Sequence, residues 1–185
     1  MQGGPATTSG WAVDSVASKC VATVVGGAVV GALIGAVAGG GNRVVQGAAL
    51  GTVAGAGLCV VIMALDAEDR ARIKSGQLLA AQTNEQQILS YSGKDGLQRD
   101  ITVRPTRTVV VTRTPNRPGS VTIVGDISSA ETDDQATLAE GQMLCRELQT
   151  DASVATKGTA AVPPQIVCRQ PDGSYAPQTL VASTS

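Results

Sequence analysis

Glycine recurs at every fourth position in two apolar stretches of the chain, and this spacing constrains the fold more than any other feature. Glycine inside a helix costs about 1 kcal/mol relative to alanine, so its repeated use on one helix face requires a compensating contact. Small residues at i, i+4 and i+8 lie along one face, where they let two helix backbones approach closely. The predicted helix-packing residues are Gly27, Gly31, Gly35, Gly39, Gly47, Gly51 and Gly55.

The two stretches, residues 21–40 and 44–65, are free of charged side chains. Each would form a helix of roughly 30 Å, the thickness of the hydrocarbon core of a bilayer. The sequence GGNR between them favours a tight reversal, because glycine and asparagine tolerate left-handed backbone. We therefore predict a glycine-zipper transmembrane helical hairpin over residues 21–65. Residues 1–20 would precede it as an N-terminal, interfacial segment with Trp11 at headgroup depth.

The composition favours the same interpretation. Hydrophobic residues make up 43% of the chain, but Phe is absent, Trp occurs once and Tyr twice. Arg43 is the one charged residue between positions 21 and 65, so apolar and charged residues are segregated as in a membrane protein with an appended domain. Because the helices are rich in Ala, Val and Gly and poor in Leu, the outer membrane is the expected destination.

The glycine stripes have two interpretations. They serve contacts between neighbouring hairpins, which predicts a homo-oligomer or docking into a larger assembly, or they serve only the packing within one hairpin. An ion-carrying rotor ring of the ATP synthase type is excluded, because residues 44–65 contain no Asp or Glu to carry the ion near mid-membrane.

Beyond the hairpin the sequence changes character twice. Residues 66–93 are rich in helix formers without proline and predict a polar helical stalk that ends at SGKDG. Residues 94–178 contain short β-branched runs bounded by Pro, Gly and Asn, which predict a β-rich domain. Residues 179–185 are expected to form a loose tail. The predicted fold class is thus an α+β membrane protein with a hairpin, a stalk and a small β domain.

Arginines are concentrated in the first predicted strands, whereas residues 126–151 are acidic. One interpretation is a surface for an anionic partner such as lipid headgroups or a glycan, formed by Arg104, Arg107 and Arg113. The other is that strands with arginines face strands with carboxylates, or face water.

The four cysteines divide into two groups. A disulfide between Cys145 and Cys168 is the simplest interpretation of the pair in the β-rich region. A zinc site is disfavoured, because the two cysteines do not form a CxxC pair and the chain contains no histidine. Such a disulfide indicates an oxidising compartment and would stabilise the domain by roughly 3 kcal/mol. Cys59 lies in the second apolar stretch. Cys20 is acylated, paired with Cys59 or a neighbouring chain, or a simple thiol, and the sequence does not decide between these.

The segment GALIGAVAGGGNRVVQGAALGTVAGAGLCVVIMALDAEDR, followed later by CREL and VCRQPDGSY, resembles the 17 kDa surface antigen family of proteobacterial lipoproteins. In that family a glycine-zipper hairpin precedes a small β domain. The resemblance implies a protein associated with the outer membrane, with its β domain in the periplasm and no enzymatic activity. Cys20 departs from the family, because no lipoprotein cleavage motif precedes it.

Several function classes are disfavoured by composition. A net charge of −1 argues against nucleic acid as a partner. The lack of histidine removes the commonest general base and transition-metal ligand, so no enzyme, cofactor or metal site is expected. The predicted function is a structural bacterial envelope protein that oligomerises or docks laterally in the membrane and organises neighbouring envelope machinery. The alternative is an oligomeric pore. Expected partners are membrane lipids, other copies of the chain and other envelope proteins.

Overall fold

The structure is a computed structural model that describes residues 10–26, 54–115, 117–127 and 138–180. Within these ranges the chain forms three helices and six strands. They are α1 (Ala12–Gly26), α2 (Ala54–Ala64), α3 (Ala67–Thr83), β1 (Gln87–Ser92), β2 (Gln98–Arg113), β3 (Ser120–Ile127), β4 (Gln142–Val154), β5 (Gly158–Arg169) and β6 (Tyr175–Leu180).

The six strands form one sheet in the order β1-β2-β3-β6-β5-β4, and β2 also pairs with β4. The pairings of β2, β3, β6, β5 and β4 therefore close into a ring, with β1 attached to the outer edge of β2. All pairs are antiparallel except β3 with β6, which is parallel and short.

The length of β2 makes this closure possible. On one edge, its first part pairs with β1 and its last part with β3. The other edge pairs with β4 along almost its whole length. Irregularities at Pro105 and between Val110 and Val111 interrupt the two ladders, and such bulges bend a strand and increase its twist. Proline has no N–H to donate, and it is tolerated at such a position because a bulge leaves one residue out of the hydrogen-bond ladder.

Helix α3 begins and ends at well-defined caps. Asp66 and Asp69 form a capping box, in which each carboxylate accepts a hydrogen bond from the other's backbone N–H, at 2.8 and 3.1 Å. Asn84 ends the helix in the left-handed conformation, with φ of 56°. The predicted stalk over residues 66–93 is therefore a shorter helix followed by β1, and it does not project from the sheet. Its residues Ile73, Ala80 and Ala81 are fully buried.

Polar side chains attach the helices to the sheet. The α3 side chain of Gln77 donates to Thr150 Oγ1 on β4 at 2.9 Å. The Arg146 guanidinium, also on β4, donates to the carbonyl oxygen of Ala81 near the end of α3. The backbone N–H at the start of α1 donates to Gln165 Oε1 on β5 at 2.7 Å. These bonds satisfy groups whose burial would otherwise be costly.

The predicted fold class, an α+β membrane protein with a transmembrane helical hairpin, is wrong. Strand is the main secondary structure of the described residues, and α2, which lies within the predicted hairpin, packs on the sheet together with α1. Val61, Ile62 and Leu65 of the α2 region are buried in the same core cluster as Val13 of α1 and Ile101 of β2. Among the described residues, no helix is both long enough and apolar enough to cross a membrane. Of the apolar side chains assigned to lipid, those of Val61, Ile62 and Leu65 are instead buried in the core that the helices form with the sheet.

The centre of the predicted hairpin, residues 27–53, lies outside the described residues. So do the predicted helix-packing residues Gly27, Gly31, Gly35, Gly39, Gly47 and Gly51, whereas Gly55 lies in the first turn of α2.

Two neighbouring apolar residues of α2 test whether this helix packs on the sheet. Ile62 is fully buried, whereas 48% of Met63 is exposed. We expect Ile62→Ala to lower the free energy of unfolding by about 2–5 kcal/mol because it leaves a cavity in the core. Met63→Ala should change it by less than about 0.5 kcal/mol. Chemical denaturation measures both values, and equal effects of the two substitutions would contradict the packing described here.

Candidate functional site

The helices α1 and α2 are joined covalently. Cys20 and Cys59 form a disulfide with an S–S distance of 2.04 Å and a Cα–Cα distance of 5.4 Å. Closing a loop across a sequence separation of 39 residues stabilises the folded chain by about 4 kcal/mol on the chain-entropy estimate. Of the states that the sequence left open for Cys20, the structure contains the intrachain pair with Cys59. The bond joins the two helices between which residues 27–53 lie in the sequence.

Three large apolar side chains on this helix pair face away from the core. They are Val21, which is 52% exposed, Val60 at 49% and Met63 at 48%. Val60 and Met63 lie on the same side of α2, since residues three apart are neighbours on a helix. Val21 and Val60 each directly follow a cysteine of the disulfide. We call these three residues the apolar patch.

The junction between α2, α3 and the sheet is organised by the guanidinium of Arg99. Only 2% of this β2 side chain is exposed. Its Nε donates to Asp69 Oδ2 at 3.0 Å, and Nη1 donates to Asp95 Oδ1 at 2.5 Å and to the Leu97 carbonyl at 2.8 Å. Nη2 donates to the Ala64 carbonyl at 2.9 Å and to Asp95 Oδ2 at 3.1 Å. These five bonds equal the number of N–H donors on a guanidinium.

The electrostatics of this cluster are those of a structural ion pair. The hydrogen bond to Asp95 raises the pKa of Arg99, as does the bond to Asp69. The same bond lowers the pKa of Asp95. Burial, with a further contribution from Asp69, raises the pKa of Tyr91. All three shifts move away from neutral pH, so each group keeps one protonation state there, whereas a general acid or base titrates near its working pH.

The arginines predicted to form an anionic-partner surface have carboxylates beside them. Arg104 Nη2 lies 2.6 Å from Asp151 Oδ2. Arg107 lies 2.8 Å from Glu147 and 3.3 Å from Asp126, and the hydrogen bond to Glu147 raises its pKa. This arrangement corresponds to the interpretation in which arginine strands face carboxylate strands.

The third arginine of that surface, Arg113, donates to an amide oxygen, Gln170 Oε1, at 3.5 Å.

The structure also joins Cys145 to Cys168. The two residues are directly opposite one another on β4 and β5, with an S–S distance of 1.96 Å. Both are fully buried and pack with Val109 and Ile166 in a second core cluster. The bond therefore links two neighbouring strands inside the core.

A cleft of about 620 Å³ opens beside the start of α1. Sequence reasoning did not find it, because its walls come from α1, α3 and β6, which are far apart in sequence. We call it the Trp11 cleft, and its lining residues are Gly10, Trp11, Asp14, Ser15, Ser18, Lys74 and Thr179.

Within the part of the chain that the structure describes, no group of three His, Cys, Asp or Glu residues is arranged to hold a metal ion.

No family model matches the chain, and neither the curated proteins nor the solved structures contain a match to it. The resemblance to the 17 kDa surface antigen family therefore stays a prediction from sequence.

A matched pair of glycines tests the Arg99 cluster. A Cβ added to Gly93 would lie 2.2–2.6 Å from three atoms of the Arg99 guanidinium, whereas one added to Gly125 meets nothing within 4 Å. The guanidinium can move aside only by breaking its bonds to Asp69 and Asp95. We expect Gly93→Ala to destabilise the fold by about 3 kcal/mol, as for a broken buried ion pair, and Gly125→Ala by less than about 1 kcal/mol. Thermal and urea unfolding measure both, and similar values would contradict this role of Arg99.

The lowered pKa of Asp95 predicts an acid-labile component of stability. Its folded-state pKa lies below the ordinary value of about 3.9, so the unfolded chain binds the proton first. The resulting stability is complete above about pH 4 and is lost as the pH falls through the folded-state pKa. We expect Asp95→Asn to be less stable than the wild type at neutral pH and to lose less stability on acidification. Urea unfolding at several pH values measures this, and equal pH dependence of the two proteins would contradict it.

Proposed function

We propose that this chain is a non-enzymatic structural protein of the bacterial cell envelope that assembles with other copies of itself. Assembly uses the outer side of the disulfide-tied helices α1 and α2 together with residues 27–53 between them. The cellular location we propose is the periplasmic side of the outer membrane, where the β-rich part contacts neighbouring envelope proteins. Neither assembly nor this location requires the chain to span the bilayer.

The observation that carries the proposal is the exposure of the apolar patch beside the Cys20–Cys59 bond. Val21, Val60 and Met63 are each about half exposed, whereas Val13, Val16, Val61 and Ile62 of the same helices are buried. Val60 and Met63 are neighbours on α2, and grouped exposed apolar side chains are typical of protein–protein contacts. The disulfide holds the two helices at a fixed spacing, which lowers the entropy lost on association.

The sequence of residues 27–53 supports a second copy as the partner. Its glycines recur at every fourth position, a pattern that suits close approach of two similar surfaces. Because both ends of this segment continue into the helices that carry the apolar patch, we propose that the segment and the patch contribute to one interface. A closed homo-oligomer uses the same surface on each copy.

Both disulfides support a location outside the reducing cytosol. All four cysteines of the chain are paired, and such bonds persist in the periplasm and in extracellular space. The electrostatics support a structural role, because Arg99, Arg104 and Arg107 are engaged by carboxylates of the same chain. The sequence resemblance to a family of envelope proteins adds to this support.

Added bulk on the glycine stripe tests assembly. We expect the wild type, extracted in mild detergent, to form a species of several identical subunits in native mass spectrometry. Gly31→Leu combined with Gly35→Leu should convert it to monomer, because the larger side chains separate the packed surfaces. The thermal unfolding temperature should change little, since the sheet and its disulfides remain.

The matched control places the same residue type beside the stripe. Ala32→Leu combined with Ala36→Leu adds bulk to the same segment and should leave the oligomer intact. A monomeric wild-type protein would contradict the proposed function, as would an oligomer that survives the glycine substitutions.

A further inference from the structure

The Trp11 cleft is a feature of the described surface that the proposed assembly does not use. Its volume of about 620 Å³ lies within the usual range of about 300–1,000 Å³ for small-molecule sites.

One face of α1 supplies most of the polar wall. Trp11, Asp14, Ser15 and Ser18 follow the spacing i, i+3, i+4, i+7, so they lie along a single side of the helix. The opposite side is buried in the core through Val13, Val16, Ala17 and Cys20. The backbone carbonyl of Trp11 accepts hydrogen bonds from the N–H groups of Asp14 and Ser15, both at 3.1 Å, which fixes this residue in the first turn.

The charged groups of the cleft are of both signs. The Asp14 carboxylate contacts Lys74 Nζ and lies 3.9 Å from Arg70 Nε, both on α3. The carboxylate opposes an anionic ligand, and the ammonium group opposes a cationic one. A ligand without net charge can use both, since the carboxylate accepts hydrogen bonds and the ammonium group donates them.

The remaining wall combines hydroxyl groups with one aromatic ring. Ser15, Ser18 and Thr179 are exposed, so their hydroxyls are available to donate or accept. The half-buried Trp11 side chain packs partly against the core, which restrains it while part of the indole remains at the cleft. A sugar ring offers vicinal hydroxyls to polar side chains and a C–H face to an aromatic ring.

We propose that the Trp11 cleft is a binding site for an uncharged pyranose oligosaccharide, with the indole of Trp11 against a sugar ring. Asp14, Lys74 and the serine hydroxyls bond the sugar hydroxyls. The inference does not depend on self-assembly, because every lining residue belongs to one chain.

Trp11 itself reports on the site, because it is the only tryptophan of the chain. The full-length protein is titrated with tri-N-acetylchitotriose and, separately, with maltotriose, while its tryptophan emission is recorded. We expect a saturable change in emission with at least one of these sugars. Binding of the first alone restricts the ligand to N-acetylated sugars such as those of envelope glycans, and binding of both extends it to hexose oligomers generally. The absence of a saturable change with either sugar would overturn the proposal.

Variants in α1 assign the binding to the cleft. Ser15→Ala combined with Ser18→Ala should weaken binding about tenfold, as expected for the loss of two modest hydrogen bonds. Alanine favours the helix more than serine does, so misfolding would not explain this result, and circular dichroism verifies the fold. Lys19→Ala alters an exposed residue of the same helix outside the cleft and should leave the affinity within twofold of the wild type. Equal affinity of the double variant and the wild type would also overturn the proposal.

Discussion

The buried guanidinium of Arg99 is the interaction on which the arrangement of helices and sheet depends. It connects four separate places: the last carbonyl of α2, the capping residue Asp69 of α3, Asp95 in the β1–β2 turn, and its own strand. A buried charge is tolerated only when it is paired and hydrogen-bonded, and here every N–H has an acceptor. Removing any one partner leaves part of that charge unsatisfied, so the turn and both helix ends are specified together. Gly93 belongs to the same constraint, since a side chain at that position would occupy the space of the guanidinium.

The contacts of Arg99 fix the position of α2 on the sheet, and the position of α1 depends on α2. Leu65 and Ile62 are buried where α2 approaches Arg99, and the Cys20–Cys59 bond extends the arrangement to α1. The side of the pair that faces away from the core retains Val21, Val60 and Met63 as exposed apolar residues. Exposing these apolar side chains to water is unfavourable, and association that buries them removes this cost. The proposed structural function rests on this asymmetry between the two sides of the helix pair.

Local chemistry allowed part of the fold to be predicted from sequence. The β-branched runs after residue 94 form strands, and Cys145 and Cys168 meet across two of them. The destination of the apolar helices was predicted incorrectly, because a run of Val, Ala and Gly has the same pattern whether lipid or a sheet covers it. β1 was included in the preceding helix, because Asn84, which ends α3 in the left-handed conformation, was not recognised as the end of the helix.

The functional surfaces were less predictable because they depend on distant parts of the chain. Opposite charges on neighbouring strands were visible in the sequence, but only the register of β2 with β4 shows that Arg107 faces Glu147. The Trp11 cleft brings together residues separated by more than one hundred positions, and no local pattern indicates such a contact. The sequence does not distinguish Arg99 from the other arginines, because its partner Asp69 lies on a different element.

Peptide mapping of the unreduced protein, purified from its own cells, tests the central claim that α1 and α2 are held together on the sheet. Digestion without reduction, followed by mass spectrometry, identifies which cysteine-containing peptides are linked. The structure predicts two linked pairs within one chain, Cys20 with Cys59 and Cys145 with Cys168. A free or acylated Cys20, or a Cys20 peptide linked to another chain, would contradict the arrangement of the helices and the function proposed from it.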